Sequence, residues 1–516
     1  MGRLDSVTGN AIQGNLSVLR AISILLFGGY VIYSGVALLK GGYEADEGFY
    51  LLTAKLVSEG QRPYADFGLT QPPAYAWLGS LVLPYLGWTV YGTRLLGLLL
   101  SFSLVVAGSV FLFRKKGWYS VCLFLSLSLS SPGWMERAVI GKPFALGGLV
   151  ALISCMVLLS GSSSISRWWL YVAVSAIGCL VRMPLAPLFV FGSIGLLWGL
   201  PNWRVRMFCV SGALLAALVV ALFLGWNCWE SLGFWLIEHH RMRSPEPSSR
   251  YGYLFLITKD GLSHGTMAWM LLPLAVWFQK RDPLYMWMTV GLVFSLVLNL
   301  GTVRGYGVYA VYFTPVPFML VSWSLGPMVG RLEQITKPAF IYLSFGIILL
   351  GGWAFRNHPY PWEFAGYMDS YDSAVRFLRS NVPEGSNVVA TTVEVPVSAN
   401  CEVPNKLAMG MFGFTDTMSQ DKADRVHIAT TNDVIGYLED PSTRAWVGSA
   451  SQDMNYFWST PDQLTVGNEN RMAIHDCLSK NYNVAFVNRH YAILLRKDQN
   501  KNRSEPHLPL TGMSGR

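Results

Sequence analysis

The sequence predicts a polytopic α-helical membrane protein of about eleven transmembrane helices, carrying a soluble α/β domain at its C-terminal end. Three observations carry that prediction. Of 516 residues, 52% are hydrophobic and only 14% charged, and the mean hydropathy is +0.35, too apolar for an ordinary soluble chain. Apolar runs of roughly spanning length recur through residues 20–354. The charge balance then reverses: the first 356 residues carry 25 Lys+Arg against 13 Asp+Glu and the last 160 carry 14 against 18, so the overall +8 divides into +12 and −4.

The runs lie near 20–39, 92–113, 118–133, 142–160, 168–182, 184–200, 207–226, 265–279, 284–300, 307–325 and 338–354. The first follows Arg20 and shows no small-residue cleavage site before the acidic segment beyond it, so it reads as a retained helix with the N-terminus inside. Arg114-Lys115-Lys116, Arg167, Arg204/Arg206, Lys280-Arg281 and Arg331/Lys337 then fall on the cytoplasmic side, as the positive-inside rule prefers. The opposite face carries as many basic residues, but in different company. Inside loops hold only Asp5, Asp282 and Glu333, whereas ten acids lie outside, which gives the outer cations a role other than topology.

A separate domain is expected over 357–516, on the outer face. Tyr371–Ser380 fits a helix with Ala374, Phe377 and Leu378 on one face, Pro383-Glu384-Gly385 a turn, and Val388–Val393 a strand. Arg471–Leu478 suggests a helix, and Val484–Asn488 with Tyr491–Leu495 a strand pair around a tight turn. Cys122, Cys155, Cys179 and Cys209 sit in or beside apolar runs and read as small buried hydrophobes. Cys401 and Cys477, the two in the soluble part, are a disulfide candidate if that domain lies in an oxidising compartment. No Cys-x-x-Cys or His-x-x-x-His spacing, P-loop, Gly-rich dinucleotide motif or internal repeat occurs, and the basic residues lack the clustering a nucleic-acid surface needs.

Candidate chemistry concentrates in the first outer loop, residues 40–91. Glu44, Asp46, Glu47, Glu59 and Asp66 are five of the thirteen acids before residue 357, and carboxylates so concentrated at a membrane edge are expensive to keep. The bland alternative is that Asp46 and Glu47 merely start the helix near Gly48, where a first-turn acid suits the helix dipole. Three further outer segments combine charge with aromatic residues: Trp134-Met135-Glu136-Arg137 through Lys142-Pro143, Glu238-His239-His240-Arg241-Met242-Arg243, and Arg304-Gly305-Tyr306 with Tyr309, Tyr312 and Pro315. Together they offer guanidinium and ammonium groups for an anionic lipid phosphate and a carboxylate to deprotonate a hydroxyl. Arg182, at the end of an apolar run, must reach an anion or snorkel to the surface. For Arg137 and Lys142 the competing reading is headgroup contact; for His239 and His240, interfacial hydrogen bonding weighs more than metal ligation.

Asp46-Glu47 followed by Phe49-Tyr50 and Ala54, then Pro63-Tyr64-Ala65-Asp66 and Pro72-Pro73, resembles the GT-C class of polyprenyl-phosphate-sugar-dependent glycosyltransferases, in the branch containing protein O-mannosyltransferases and the lipid A aminoarabinose transferase. Glu238-His239 with Arg241 is similar to the aminoarabinose transferase's Glu-His…Arg segment, and Arg304…Tyr306…Pro315 to the family's late Arg/Tyr-to-Pro stretch. The resemblance spans roughly 20–325. One departure stands out: where many relatives place an Asp before a Pro, this chain has Gly141-Lys142-Pro143, which removes an acidic role there and puts metal dependence in doubt.

The resemblance implies an inner-membrane glycosyltransferase that moves a monosaccharide from a polyprenyl phosphate to an acceptor hydroxyl on a lipid, glycan or protein at the periplasmic face, with inversion. Arg137, Lys142, Arg182, Arg241, Arg304 and Tyr306 would hold the donor phosphate. Asp46 would be the general base, with Glu47 and Asp66 beside it, Glu47 orienting it or a metal; Glu47→Gln is therefore expected to do less harm than Asp46→Asn. Glu238, His239 and His240 would serve a metal or the acceptor. No cofactor is demanded, and a divalent metal is the one left open. The competitors are an oligosaccharide polymerase or ligase using a diphosphate-linked donor, a lipid or solute transporter, and a noncatalytic scaffold.

Overall fold

The computed structural model describes residues 4–42, 46–161, 164–242, 266–301, 311–335, 366–415, 418–450 and 468–497. The chain divides into two compact units, one of residues 1–60 with 69–365, the other of 61–68 with 366–516.

The first unit is helical: α1 (Leu4–Lys40), α2 (Asp46–Ser58), α3 (Ala74–Leu86), α4 (Val90–Lys116), α5 (Trp118–Leu129), α6 (Pro132–Val139), α7 (Phe144–Leu159), α8 (Ile165–Val181), α9 (Ala186–Trp198), α10 (Trp203–Gly225), α11 (Trp229–Gly233), α12 (His239–Met242), α13 (Thr266–Gln279), α14 (Pro283–Gly301) and α15 (Pro315–Ile335). Every expected apolar run except 338–354, which lies outside the described residues, corresponds to one of these helices. By length and composition Ser17–Lys40, Val90–Lys116 and Trp203–Gly225 can each cross a membrane. A fourth candidate is the pair Gly133–Val139 and Phe144–Leu159, bent by 111°. Six further apolar helices are shorter, at 10–17 residues. With α10 exposing apolar side chains along most of its length, this is a multi-pass membrane protein whose outer helices face lipid.

The centre of the unit is α5, buried from Ser120 to Ser128, packed against α1, α4 and α15. Small residues permit the approach. A methyl on Gly326 would meet Ser120 Cα at 2.6 Å, so only glycine lets α15 lie this close to α5. The bend between α6 and α7 has a local cause in Gly141-Lys142-Pro143. Proline 143 has no N–H to continue a helix and disfavours helical geometry at the residue before it.

The second unit holds a four-stranded sheet of order β1-β2-β4-β3, with β1 (Asn387–Ala390), β2 (Thr443–Ser449), β3 (Tyr482–Val487) and β4 (Tyr491–Arg496). Strands β1 and β2 are parallel and the other pairs antiparallel. Helix α16 (Tyr367–Asn381) buries Ala374 and Leu378 and stacks Phe377 on Phe486 at 4.9 Å. Four shorter helices complete it: α17 (Glu394–Ser398), α18 (Gln420–Arg425), α19 (Thr431–Glu439) and α20 (Asn468–Asn481). Residues 61–68 belong here because Tyr64 and Phe67 are buried and Asn405 Nδ2 donates to Gln61 Oε1 at 2.7 Å.

Three expectations change. The strand expected over Val388–Val393 ends at Ala390, and the chain turns into α17, whose buried Glu394 accepts a hydrogen bond from the Tyr491 hydroxyl at 3.0 Å. β2 was not anticipated: Ala445–Gly448 are all buried, so the strand lacks the alternation that marks a half-exposed one. Cys401 and Cys477 are not joined in a disulfide. Cys401 adjoins Glu402, which bridges to β1, while Cys477 lies on α20, packed against β3.

Candidate active site

The first residues of α2 meet the α6–α7 bend in the first unit. The Lys142 ammonium lies 2.7 Å from Asp46 Oδ2; the lysine side chain is 7% exposed and the aspartate 30%. A buried ammonium requires a counter-charge, and here a carboxylate that still reaches solvent supplies it.

Glu47, the next residue of α2, is fully buried. Its Oε2 accepts from Arg94 Nη2 at 2.6 Å and its Oε1 from Arg94 Nε at 2.9 Å, a bidentate pair between side chains 0% and 1% exposed. Oε1 also accepts the Gly141 N–H at 2.8 Å. Arg94, on α4, donates in addition to the carbonyls of Gly41 at 3.1 Å and Gly42 at 2.8 Å, just beyond α1, where free carbonyls favour a cation. One guanidinium thus ties together the end of α1, the start of α2 and α4, and the carboxylate adds the bend. Glu47 is therefore a structural anchor, with both oxygens engaged.

Below the ion pair runs a row of aromatic and cationic groups. Lys142 Nζ lies 5.6 Å from the Phe144 ring centroid, Phe144 is 4.8 Å from Tyr312, and the Arg182 guanidinium lies 5.4 Å from Tyr312. Arg182 terminates α8 in an extended conformation just before Met183-Pro184 and is 6% exposed. Glu136 on α6 accepts from the Tyr33 hydroxyl at 2.7 Å, fastening α6 to α1, and Arg137 follows it.

The other expected residues are distributed differently. Asp66 falls in the second unit, where its carboxylate closes a turn by accepting the Arg62 N–H at 2.6 Å. Glu238 ends a π-helical turn at Phe234–Glu238, a distortion often found at functional sites, but it and Arg241 are exposed. His239 is fully buried against Trp235, with ring centroids 4.9 Å apart. His240 Nε2 donates to the Thr70 carbonyl at 2.9 Å, joining α12 to the loop before α3. Arg243, Arg304 and Tyr306 lie outside the described residues.

A divalent metal does not fit this arrangement. Asp46 faces an ammonium, Glu47 spends both oxygens on Arg94 and Gly141, and no group of three or more His, Cys, Asp or Glu side chains gathers among the described residues. A cation placed at either carboxylate would confront a buried basic side chain.

No protein-family model matches the chain, and no curated protein matches it in sequence. Solved structures do. ArnT from Cupriavidus metallidurans in the apo state aligns over 94% of this chain and 98% of its own, with a TM-score of 0.60 and 13% identity. The same protein bound to undecaprenyl phosphate gives 93%, 98%, 0.59 and 13%. This chain has the GT-C fold. A looser likeness, with a TM-score of 0.45 and 9% identity, reaches the AglB oligosaccharyltransferase of Archaeoglobus fulgidus, solved with an inhibitory peptide and a dolichol-phosphate, over 94% of this chain and 75% of that one. The GT-C assignment rests on the two ArnT structures.

Arg94 and Gly141 are the two residues of this arrangement that the sequence did not single out. Arg94 was one arginine among several, and its only signal was its place near the start of a long apolar run. For Gly141 the reason is steric, since a methyl there would meet Thr93 Oγ1 at 2.3 Å and Glu47 Oε1 at 3.2 Å.

Proposed function

We propose that this chain is a membrane glycosyltransferase that moves a monosaccharide from a polyprenyl phosphate to an acceptor hydroxyl, with inversion, at the outer face of a bacterial inner membrane. The observation that carries the reading is the Asp46–Lys142 pair, a partly exposed carboxylate against a buried ammonium. The GT-C fold and the lipid-facing helices support it. The donor's isoprenoid tail lies among the helices and its phosphate comes to Lys142, with Arg182 and Arg137 adding positive charge and Arg241, Arg304 and Tyr306 as further contacts.

The pair gives the reaction an order. In the resting site Lys142 neutralises Asp46. A donor phosphate competes for that ammonium, with charge-assisted bonds of its own, and the carboxylate becomes available to accept a proton. The acceptor hydroxyl then attacks the anomeric carbon from the face opposite the phosphate. Its proton passes to Asp46, the carbon–oxygen bond to phosphate breaks, and polyprenyl phosphate leaves with its charge met by Lys142 and the arginines. No acid is needed, because the leaving phosphate is a weak base.

The test is consumption of labelled sugar-lipids by purified protein, read by thin-layer chromatography. Turnover of the monophosphate-linked donor, lost in Asp46→Asn, is the expected result. Turnover of a diphosphate-linked oligosaccharide alone assigns the chain to the ligase or polymerase class, and turnover of neither removes the proposal.

A further inference from the structure

Tyr75, in the first turn of α3 after Pro72-Pro73, is 3% exposed, and among the described residues its hydroxyl has no hydrogen-bond partner. Its ring sits edge-on to Tyr50 at 5.4 Å, so the body of the side chain is well packed. Tyr50 stands one turn beyond Asp46 on the same face of α2, and Asp46 pairs with Lys142 at 2.7 Å. Tyr75 therefore packs on the face of α2 that carries the Asp46–Lys142 pair. Glu47 is not its acceptor, since both carboxylate oxygens are held by Arg94 and Gly141.

A buried donor without an acceptor is costly, and phenylalanine would fill the same volume without that cost. A hydroxyl kept in such a place points to an acceptor that arrives with a ligand. On α2 the Glu47 carboxylate is already neutralised by Arg94, and the Asp46–Lys142 pair brings a buried ammonium to the helix face on which Tyr75 packs, so the arriving acceptor is anionic oxygen. We propose that the Tyr75 hydroxyl donates to a phosphate oxygen of the lipid donor. This rests on the glycosyltransferase reading and names one further residue of its phosphate subsite.

The experiment compares wild type with Tyr75→Phe in detergent, measuring thermal stability and affinity with undecaprenyl phosphate alone and with its sugar-carrying form. Phenylalanine should leave the ligand-free protein as stable as wild type or more so. It should weaken both lipids alike by roughly ten- to a hundredfold, the range for one hydrogen bond to a charged group. Equal affinity of variant and wild type overturns the assignment. So does a less stable ligand-free variant with unchanged affinity, which would make the hydroxyl structural. Weakening confined to the sugar-carrying lipid moves the contact from phosphate to sugar and also overturns it. If undecaprenyl phosphate fails to bind wild type at all, the glycosyltransferase reading falls first, and the Tyr75 claim with it.

Discussion

Replacing Glu47 by Gln removes the charge from one partner of the bidentate, solvent-free Glu47–Arg94 pair. The guanidinium remains where it is, held by the carbonyls of Gly41 and Gly42, but its counter-charge is gone. Breaking a buried pair from one side typically costs about 3–5 kcal/mol, because a charge is left uncompensated in a medium that cannot solvate it. The Gly141 N–H also loses an ionised acceptor, and with it the bend that carries Lys142. The expected outcome is a much lower melting temperature in detergent, read by the reaction of buried thiols such as Cys122 and Cys155 with a fluorogenic maleimide as the helices open. Removing both charges, as in Glu47→Gln with Arg94→Met, should recover part of the loss. This reverses, for stability, the order read from the sequence, in which Asp46→Asn is the more damaging change. The reasoning is refuted if Glu47→Gln melts like wild type and binds donor normally yet does not turn over, since Glu47 would then act on the reaction itself.

Asp46→Asn should fold normally, bind donor, and turn over about 10²–10⁴-fold more slowly, the usual contribution of a general base; a near wild-type rate removes Asp46 from that role. Gly141→Ala should destabilise the α6–α7 bend, because its methyl would lie 2.3 Å from Thr93 Oγ1; unchanged melting and activity would show that the bend can shift. In the second unit, hydrogen bonds from Lys406 and Gln420 hold the Asp424 carboxyl below its usual value, and burial of Asp433 is outweighed by its bonds with Lys406 and Thr430, which lower it too. Burial pulls Lys406 down, but its two aspartates outweigh that and hold the ammonium above its usual value. The depressed carboxylates therefore stabilise this unit above their unfolded values, near about 4, and lose that contribution as pH falls through the folded values; Lys406 loses its own as pH rises through its raised value. Hydrogen-exchange protection of β2 in the full chain should fall in Lys406→Met near neutral pH and match wild type in strong acid, and a pH-independent difference would contradict this. Finally, Cys401 and Cys477 should both react with a thiol reagent in denatured, unreduced protein, whereas a peptide pair joined through them would overturn their assignment as free thiols.

The membrane class and the positions of most apolar helices were legible in the sequence because burial in lipid imposes a composition that a window of about twenty residues reports directly, but their ends were not: the run read over 307–325 corresponds to Pro315–Ile335, and α1 starts at Leu4 rather than near 20. The reversal from +12 to −4 marked a change of character near the start of the second unit, and the importance of the first loop showed in its crowded carboxylates. The two halves of Asp46-Glu47 were not distinguishable. Adjacent residues at the start of a helix point about 100° apart, and only packing decided that one would meet Lys142 at the rim and the other Arg94 in the interior. The central strand β2 was hidden because a strand buried on both faces carries no alternation. Arg94, Gly141 and Tyr75 were hidden for a common reason: each is defined by a neighbour dozens of residues away, Arg94 and Gly141 meeting Glu47 across separations of 47 and 94 positions. Local sequence reports what a segment needs, a hydrophobic face, a turn or a cap. Which charges meet, and which hydroxyl is left without an acceptor, depends on the distances that folding brings together.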